Sequence, residues 1–221
     1  MVSLLDIIGP VMVGPSSSHT AGACRIGLFA RGLIDGQPES ARVELHGSFA
    51  RTGAGHGTDR AIAGGLLGLF PDDERLRESL ELARAAGLEI SFANAKLRGE
   101  HHPNTARIIV RRGKRTASVT GSSLGAGRIL ITDIDGFAVE VTGAFPTLVF
   151  VAQDVPGIIA AVSTALARQG DNIATMKVSR RQKGGDAIHI YELDQPASPQ
   201  AMAAIRDIPA LSMIRSIARI S

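Results

Sequence analysis

The order of strands and helices in the last third of the chain restricts its fold more than any other feature of the sequence. Apolar residues there alternate between a period of two, typical of strands, and a period near 3.6, typical of helices. The predicted elements are strands at 147–152, 173–180, 187–193 and 211–220, and helices at 156–169 and 198–206. Pro156 favours a helix start and Gly170 a helix end. The resulting order is β-α-β-β-α-β within roughly 75 residues, which predicts a separate small domain.

The preceding residues, 1–142, are predicted to form an α/β domain. The predicted elements are helices at 16–34, from about 58 and at 71–87, and strands at 42–48, 88–92, 107–112, 115–120, 128–134 and 137–141. Asp135-Gly136 is a hairpin-turn signal between the last two strands. We therefore expect a mixed α/β (α+β) fold, with an α/β domain over 1–142 and a ferredoxin-like domain over 146–221.

Charge and cysteine content exclude several classes of protein. The net charge is only +3, from 24 Lys+Arg and 21 Asp+Glu, so the chain lacks the basic excess that binds nucleic acid. It has no run of about 18 apolar residues and no secretory signal, so we expect a cytoplasmic protein that does not enter a membrane. Cys24 is the only cysteine, which excludes an internal disulfide and an iron–sulfur cluster bound by this chain alone.

The first candidate site is GPSSSHTAG, residues 14–22, at the start of the first predicted helix. Its polar residues are Ser16, Ser17, Ser18, His19 and Thr20. Their hydroxyls and the free N–H groups of a helix start suit a carboxylate or a phosphate, and His19 titrates near neutral pH. The alternative is a helix cap, but a cap requires one such residue and not five. We therefore favour a functional site here.

A second candidate is the glycine-rich segment GSFARTGAGHGTD, residues 47–59. Gly53, Gly55 and Gly57 permit positive φ angles and close approach to a ligand, and His56 lies among them. The glycine spacing matches neither a P-loop nor a dinucleotide-binding motif, so it does not predict nucleotide binding. A flexible turn between a strand and a helix is the alternative.

Two further motifs lie beside predicted strands. In HHPNT, residues 101–105, Pro103 fixes the backbone while His102 and Asn104 can point into a site, although a simple turn before the strand explains them equally well. GSSLGAG, residues 121–127, is predicted to be a turn that presents N–H groups to an anion or merely closes a hairpin.

The remaining histidines and the cysteine favour structural roles. His46 and His189 lie in predicted strands and are expected to be hydrogen-bonded within a sheet. Cys24 lies one turn into a helix and is expected to be a small buried side chain. The candidate histidines His19, His56 and His102 lack the spacing of a zinc site, so metal binding by this chain alone is not predicted.

Taken in order, GPSSSHTAG, GSFARTGAGHGTD, HHPNT and GSSLGAG resemble the β subunit of the bacterial iron–sulfur-dependent L-serine dehydratases, also called L-serine ammonia-lyases. The resemblance covers nearly the whole chain. It implies an N-terminal domain related to the allosteric substrate-binding domain of some phosphoglycerate dehydrogenases. It also implies a C-terminal ACT domain, for which Asp154-Val155-Pro156-Gly157 and Gly170-Asp171-Asn172-Ile173 lie in the usual places.

The resemblance implies an enzyme that converts L-serine to pyruvate and ammonia with a [4Fe–4S] cluster and without pyridoxal phosphate. The cluster cysteines of that family belong to an α subunit, which agrees with the single cysteine of this chain. Removal of the Cα proton of serine requires a base that titrates near neutral pH. His19 and His102 are the first candidates for acid/base catalysis, and His56 is the next. Substrate orientation is assigned to Ser16, Ser17, Ser18, Thr20 and Asn104.

The C-terminal domain is expected to form a homodimer and to bind a small amino acid, serine among the candidates. Gly157 and Asn172 match the effector-binding positions of ACT domains. Three other functions remain open. The chain could be a regulatory and assembly subunit without a catalytic role, an amino-acid sensor without an α partner, or a phosphate-binding domain.

Overall fold

The computed structural model describes residues 11–220 of the chain. The N-terminal residues from which we exclude a secretory signal lie outside this range. The chain folds as two compact units. The first contains the described residues up to Gly136 together with Glu140–Thr142, and the second contains Gly143–Ile220 together with Phe137–Val139. Among the described residues, no helix is long and apolar enough to cross a membrane.

The first unit is built on a six-stranded sheet with the order β2-β1-β3-β4-β5-β6. Its strands are β1 (Ser40–His46), β2 (Glu89–Asn94), β3 (Asn104–Arg112), β4 (Arg115–Gly125), β5 (Arg128–Ile134) and β6 (Phe137–Val141). Its helices are α1 (Ala23–Leu33), α2 (Gly47–His56), α3 (Thr58–Leu67) and α4 (Ser79–Ala85). β1 and β2 are parallel because α2, α3 and α4 form the crossover between them, whereas β1, β3, β4 and β5 pair antiparallel.

Helices α1 and α3 pack closely because glycines face each other at their contact. A Cβ atom at Gly65 would lie 2.1 Å from the carbonyl oxygen of Cys24, so only glycine fits at this position. A Cβ atom at Gly27 would likewise lie 2.6 Å from the carbonyl oxygen of Ile62. The glycines that weaken α1 as an isolated helix therefore permit its close packing in the folded protein.

The second unit has the predicted β-α-β-β-α-β order. Its elements are β7 (Thr147–Gln153), α5 (Ile158–Ala167), β8 (Ile173–Arg180), β9 (Asp186–Leu193), α6 (Pro199–Arg206) and β10 (Leu211–Ile217). The sheet order is β10-β7-β9-β8, and all three pairings are antiparallel. Leu148, Phe150 and Tyr191 of the sheet form one core with Val162 and Leu166 of α5. The mixed α/β fold and the C-terminal topology are thus confirmed.

Three local predictions are wrong in detail. The glycine-rich segment 47–59 is not a loop but two helices, and Gly53 and Gly55 are helical, whereas Gly57 between the helices has a φ of 71°. GSSLGAG is not mainly a turn, because β4 continues to Gly125 and leaves only two residues for the turn. The predicted helix at 71–87 is a short 3-10 helix, Glu74–Glu78, followed by α4.

Candidate functional site

The first helix begins as a π-helical turn, Ser17–Gly22, before it continues as α1. Ser16 caps this turn, and its Oγ accepts the His19 N–H at 3.3 Å. His19 is 8% exposed and packs edge-on against the Phe49 ring, with ring centroids 5.2 Å apart. π-Helical turns are rare and are found frequently at functional sites. The wide turn therefore directs a buried histidine from the GPSSSHTAG motif toward helix α2.

Helix α2 surrounds the His19 ring with polar groups. Thr52 Oγ1 lies 3.1 Å from His19 Nε2, and Ser48 Oγ lies 3.5 Å from the same nitrogen. On the other side of the ring, Ser16 Oγ lies 3.5 Å from Nδ1. The ring of His56, at the last residue of α2, lies 4.9 Å from the His19 ring between centroids. The GPSSSHTAG motif and the glycine-rich segment therefore form one cluster.

His19 and His56 differ in their surroundings. His56 is exposed, and its Nδ1 lies 2.9 Å from the carbonyl oxygen of Thr52. Burial lowers the pKa of His19 below its usual value, and the neighbouring His56 lowers this pKa further because two positive rings would repel each other. His19 is therefore a neutral imidazole at neutral pH.

A cleft of about 400 Å³ opens beside this cluster. His56 lines it together with Thr20, Arg60 and Arg77. Arg77 forms an ion pair with Glu74 at 3.4 Å across exposed side chains. The cleft therefore combines a histidine with guanidinium groups, an arrangement that suits a small carboxylate.

The HHPNT segment joins the cluster through its backbone. The carbonyl oxygen of Pro103 accepts the Ser48 N–H at 2.7 Å, and Asn104 forms a β-bridge with Gly47. His102 is exposed, and its Nδ1 accepts the Asn104 N–H at 3.1 Å. The buried Oδ1 of Asn104 has no hydrogen-bond partner among the described residues. The segment therefore holds the N-terminus of α2 in place.

GSSLGAG packs against the first motif from the sheet side. A Cβ atom at Gly22 would lie 2.0 Å from Ser123 Oγ, so β4 and the π-helical turn touch at a position where only glycine fits. In the same strand, Ser122 Oγ lies 2.7 Å from Thr105 Oγ1 of β3, and both residues are buried. All four motifs therefore meet in one region of the first unit.

The remaining predicted residues of GPSSSHTAG occupy less defined positions. Ser17 and Ser18 are half-buried in the π-helical turn. Thr20 is buried against Gly14, and its Oγ1 has no hydrogen-bond partner among the described residues. The structure therefore brings Ser16 and His19 directly into the cluster with His56.

Sequence reasoning missed Ser48 and Thr52. Both lie within the segment 47–59, whose glycines favour a loop. On a helix, Ser48, Thr52 and His56 are spaced by four residues and share one face. The signal was present in the sequence, but it required recognising a helix that contains three glycines.

Cys24 does not fit the ligand set of an iron–sulfur cluster. It is fully buried, and its Sγ donates to the carbonyl oxygen of Leu69 at 3.2 Å. Burial raises the pKa of its thiol to about 12, so it is not a thiolate at neutral pH. The described residues contain no group of three or more metal-binding side chains. The expected small buried cysteine is thus confirmed.

In the second unit, the two predicted effector positions lie at opposite ends of α5 in sequence. Gly157 precedes the helix with a φ of 97°, and no described atom lies within 4 Å of a Cβ placed there. Asn172 follows the helix, and its Nδ2 donates to Asp194 Oδ2 at 2.8 Å. In the turn before α5, the Asp154 carboxylate accepts the Gly184 N–H and forms an ion pair with Arg180 at 2.7 Å.

The sheet histidines behave differently from each other. The His46 ring accepts the Leu97 N–H at 3.2 Å, as expected for a structural histidine. His189 is 3% exposed and stacks on Phe150 at 4.4 Å between centroids. Its Nδ1 has no hydrogen-bond partner among the described residues, so the prediction of a hydrogen-bonded sheet histidine is wrong for this nitrogen. Burial lowers the pKa of His189 to about 4.

Comparison with known proteins agrees with this geometry. The serine dehydratase beta chain family matches residues 3–133, and the ACT domain family matches residues 147–210. The chain is 42% identical to the probable L-serine dehydratase beta chain of Bacillus subtilis, over 98% of both chains. It is 38% identical to the L-serine dehydratase beta chain of Peptoniphilus asaccharolyticus, over 92% of both chains. A D-3-phosphoglycerate dehydrogenase of Synechocystis is 35% identical over 42% of this chain and 17% of its own length.

The fold and the site define an α/β protein with a histidine and hydroxyl cluster in its first unit and an ACT domain in its second. The sequence identity to the relatives, and the share of each chain that matches, identify the family. The chain belongs to the serine dehydratase beta chain family.

Proposed function

We propose that this chain completes the active site of an L-serine ammonia-lyase together with a separate α subunit. The enzyme deaminates L-serine to pyruvate and ammonia. One observation carries the proposal. His19 and His56 belong to different motifs and are 37 residues apart in the sequence, yet their rings lie 4.9 Å apart beside a cleft that also presents guanidinium groups. A ring pair of this kind can move a proton at a substrate whose carboxylate is held nearby.

His56 is the better placed of the two rings to remove the Cα proton. A carbonyl oxygen only accepts hydrogen bonds, so Nδ1 of His56 carries a proton that it donates to the Thr52 carbonyl. The Nε2 lone pair of the neutral ring is then available as a base. His19, a buried neutral ring, packs beside His56 with 4.9 Å between ring centroids. His102 is a further candidate, because its neighbour Pro103 accepts the Ser48 N–H and so holds this segment against helix α2.

The polar groups around the histidines are assigned to orient the substrate. We assign the hydroxyls of Ser16, which contacts His19, and of Ser17, Ser18 and Thr20 in the adjoining π-helical turn to the substrate carboxylate. Asn104 retains an acceptor oxygen without a protein partner among the described residues, which suits an ammonium group. The family implies an iron–sulfur cluster. We assign a [4Fe–4S] cluster to the α subunit because the only cysteine here is buried and protonated.

The two domains are proposed to be residues 1–142, with the active-site cluster, and residues 146–221, with a regulatory role. We assign amino-acid binding to the turn at Gly157, which has a positive φ and open space beside it, and to Asn172. Homodimerisation is supported by exposed apolar side chains on edge strand β8. Met176 is 50% exposed there and Val178 is 44% exposed.

The decisive experiment is co-expression with an α subunit, anaerobic purification and a pyruvate assay with L-serine. We expect turnover only when both chains are present. His19→Ala and His56→Ala complexes that assemble normally but have lost turnover would separate a catalytic role from an assembly role. Full turnover by the α subunit alone would contradict the proposal and favour a purely regulatory subunit.

A further inference from the structure

Thr52 contacts both histidine rings through different atoms. Its side-chain Oγ1 lies 3.1 Å from His19 Nε2, and its carbonyl oxygen lies 2.9 Å from His56 Nδ1. The same Oγ1 also donates to the carbonyl oxygen of Ser48, one helical turn earlier, at 3.0 Å. Neither the motifs nor the family comparison assigns a role to Thr52.

The direction of these hydrogen bonds follows from what each group can donate. The Thr52 hydroxyl has one proton, and the Ser48 carbonyl can only accept it. Thr52 Oγ1 must then accept from His19, which places the proton of the His19 ring on Nε2. Ser16 Oγ accepts the His19 main-chain N–H, so its own proton is free to point at His19 Nδ1, 3.5 Å away. In this arrangement the Thr52 hydroxyl proton, the His19 ring proton and the Ser16 hydroxyl proton each have an acceptor.

The contact to His56 is independent of the Thr52 side chain. The main-chain carbonyl fixes the Nδ1-protonated form of His56 and leaves Nε2 as the basic nitrogen. A change in the Thr52 side chain therefore affects the tautomer of His19 and leaves that of His56 as it is. His56 thus serves as an internal control for any substitution at residue 52.

We propose that Thr52 is a positioning residue for L-serine deamination, which holds His19 in its Nε2-protonated form against His56. This inference rests on the proposed function of the two histidines. Ser48 is the secondary contact, since its Oγ lies 3.5 Å from the same nitrogen. Without the Thr52 hydroxyl, Nε2 loses its nearer hydroxyl acceptor and retains only its contacts to Ser48, so the Nε2-protonated form of His19 and the position of its ring are held less firmly.

The test uses Thr52→Val, which preserves the shape of the side chain but removes the hydroxyl, and Thr52→Ser, which retains the hydroxyl. Thr116→Val is the matched control. It removes an exposed threonine hydroxyl from β4 at the end of the β3–β4 hairpin away from Thr105 and Ser122. Each variant is assayed as the complex with its α subunit. We expect Thr52→Val to lower kcat tenfold to a hundredfold with KM within threefold, and Thr52→Ser to retain at least a third of kcat.

The second readout does not depend on activity. ¹⁵N shifts of the labelled β subunit in the complex report which nitrogen of each ring carries the proton. In Thr52→Val we expect the His19 signals to move toward the Nδ1-protonated form, while the His56 signals stay unchanged. Unaltered His19 signals, or equal loss of kcat in Thr52→Val and Thr52→Ser, would overturn the inference. If His19→Ala itself retains full kcat, the proposed function fails, which is a different result from failure of Thr52→Val alone.

Discussion

His19 in the first unit and His189 in the second are both buried, and burial lowers the pKa of each. Their neighbours differ. His19 has a hydroxyl near each ring nitrogen and a second histidine 4.9 Å away, beside an open cleft. His189 stacks on Phe150 within a sheet, and its Nδ1 has no partner among the described residues.

The comparison shows that burial of a titratable group does not by itself define a site. Burial lowers the pKa of His189 to about 4 against the opposing effect of the Asp154 carboxylate, yet Nδ1 of this ring has no hydrogen-bond partner among the described residues that could orient it. At His19, the hydrogen bonds fix the ring and the cleft gives access to its neighbour. Access and directed hydrogen bonds, rather than a lowered pKa, distinguish the histidine that we propose to be functional from the structural one.

The most direct test of whether the two histidines differ in function is to replace each one and measure turnover of the complex. We expect His56→Ala and His19→Ala to lower kcat by about 10² to 10⁴, the range of a lost general acid or base. His189→Phe, which can still stack on Phe150, should leave kcat within about twofold. Equal losses in all three variants would mean that the two histidine environments do not differ in function.

The second prediction concerns the pH dependence of stability. His189 has an ordinary pKa of 6.5 when unfolded and about 4 when folded, so the unfolded chain binds more protons between these values. The free energy of unfolding should therefore fall by about 3 kcal/mol from this group as the pH falls from 6.5 to 4, with no contribution above 6.5. Urea unfolding of wild type and His189→Phe at pH 7, 5.5 and 4.5 tests this, because His189→Phe should lose less stability on acidification. Parallel curves for the two proteins would contradict the prediction.

A smaller effect is expected in the proposed effector site. Asn172→Ala removes the hydrogen bond to Asp194 at the surface of the second unit, remote in sequence from the histidine cluster. We expect basal kcat to stay within about twofold and amino-acid binding, measured by calorimetry across the twenty amino acids, to weaken about tenfold, as for the loss of one hydrogen bond to the bound amino acid. Binding of equal strength in wild type and variant would remove Asn172 from the site.

The smallest effect is expected for Cys24→Ala. The thiol is buried, remains protonated and binds only a main-chain carbonyl in the described structure, so it contributes packing rather than a metal ligand. The complex should retain its iron content and its turnover within about twofold, at a cost in stability of about 1 kcal/mol. Loss of iron from the complex would show that this cysteine does bind the cluster.

Periodic elements were predictable from the sequence, and glycine-rich ones were not. The β-α-β-β-α-β order is visible because its apolar residues repeat with clear periods and its turns carry Pro156 and Gly170. Helix α2 was missed because three of its ten residues are glycine, each unfavourable in a helix by about 1 kcal/mol. The packing of α2 on β3 and the π-helical turn outweighs that preference, and packing is not readable from local sequence.

The sequence by itself determined the two-domain order, the four polar motifs and the absence of a cysteine set for a cluster. It also identified His19 and His102 as the first acid/base candidates and His56 as the next, because each lies in a motif of polar residues and glycines and histidine titrates near neutral pH. Only the tertiary structure decided that these rings meet and that Ser48 and Thr52 join them. The physical reason is that segments far apart in the chain meet only after the sheet and its helices have packed, and hydrogen-bond direction depends on that final arrangement.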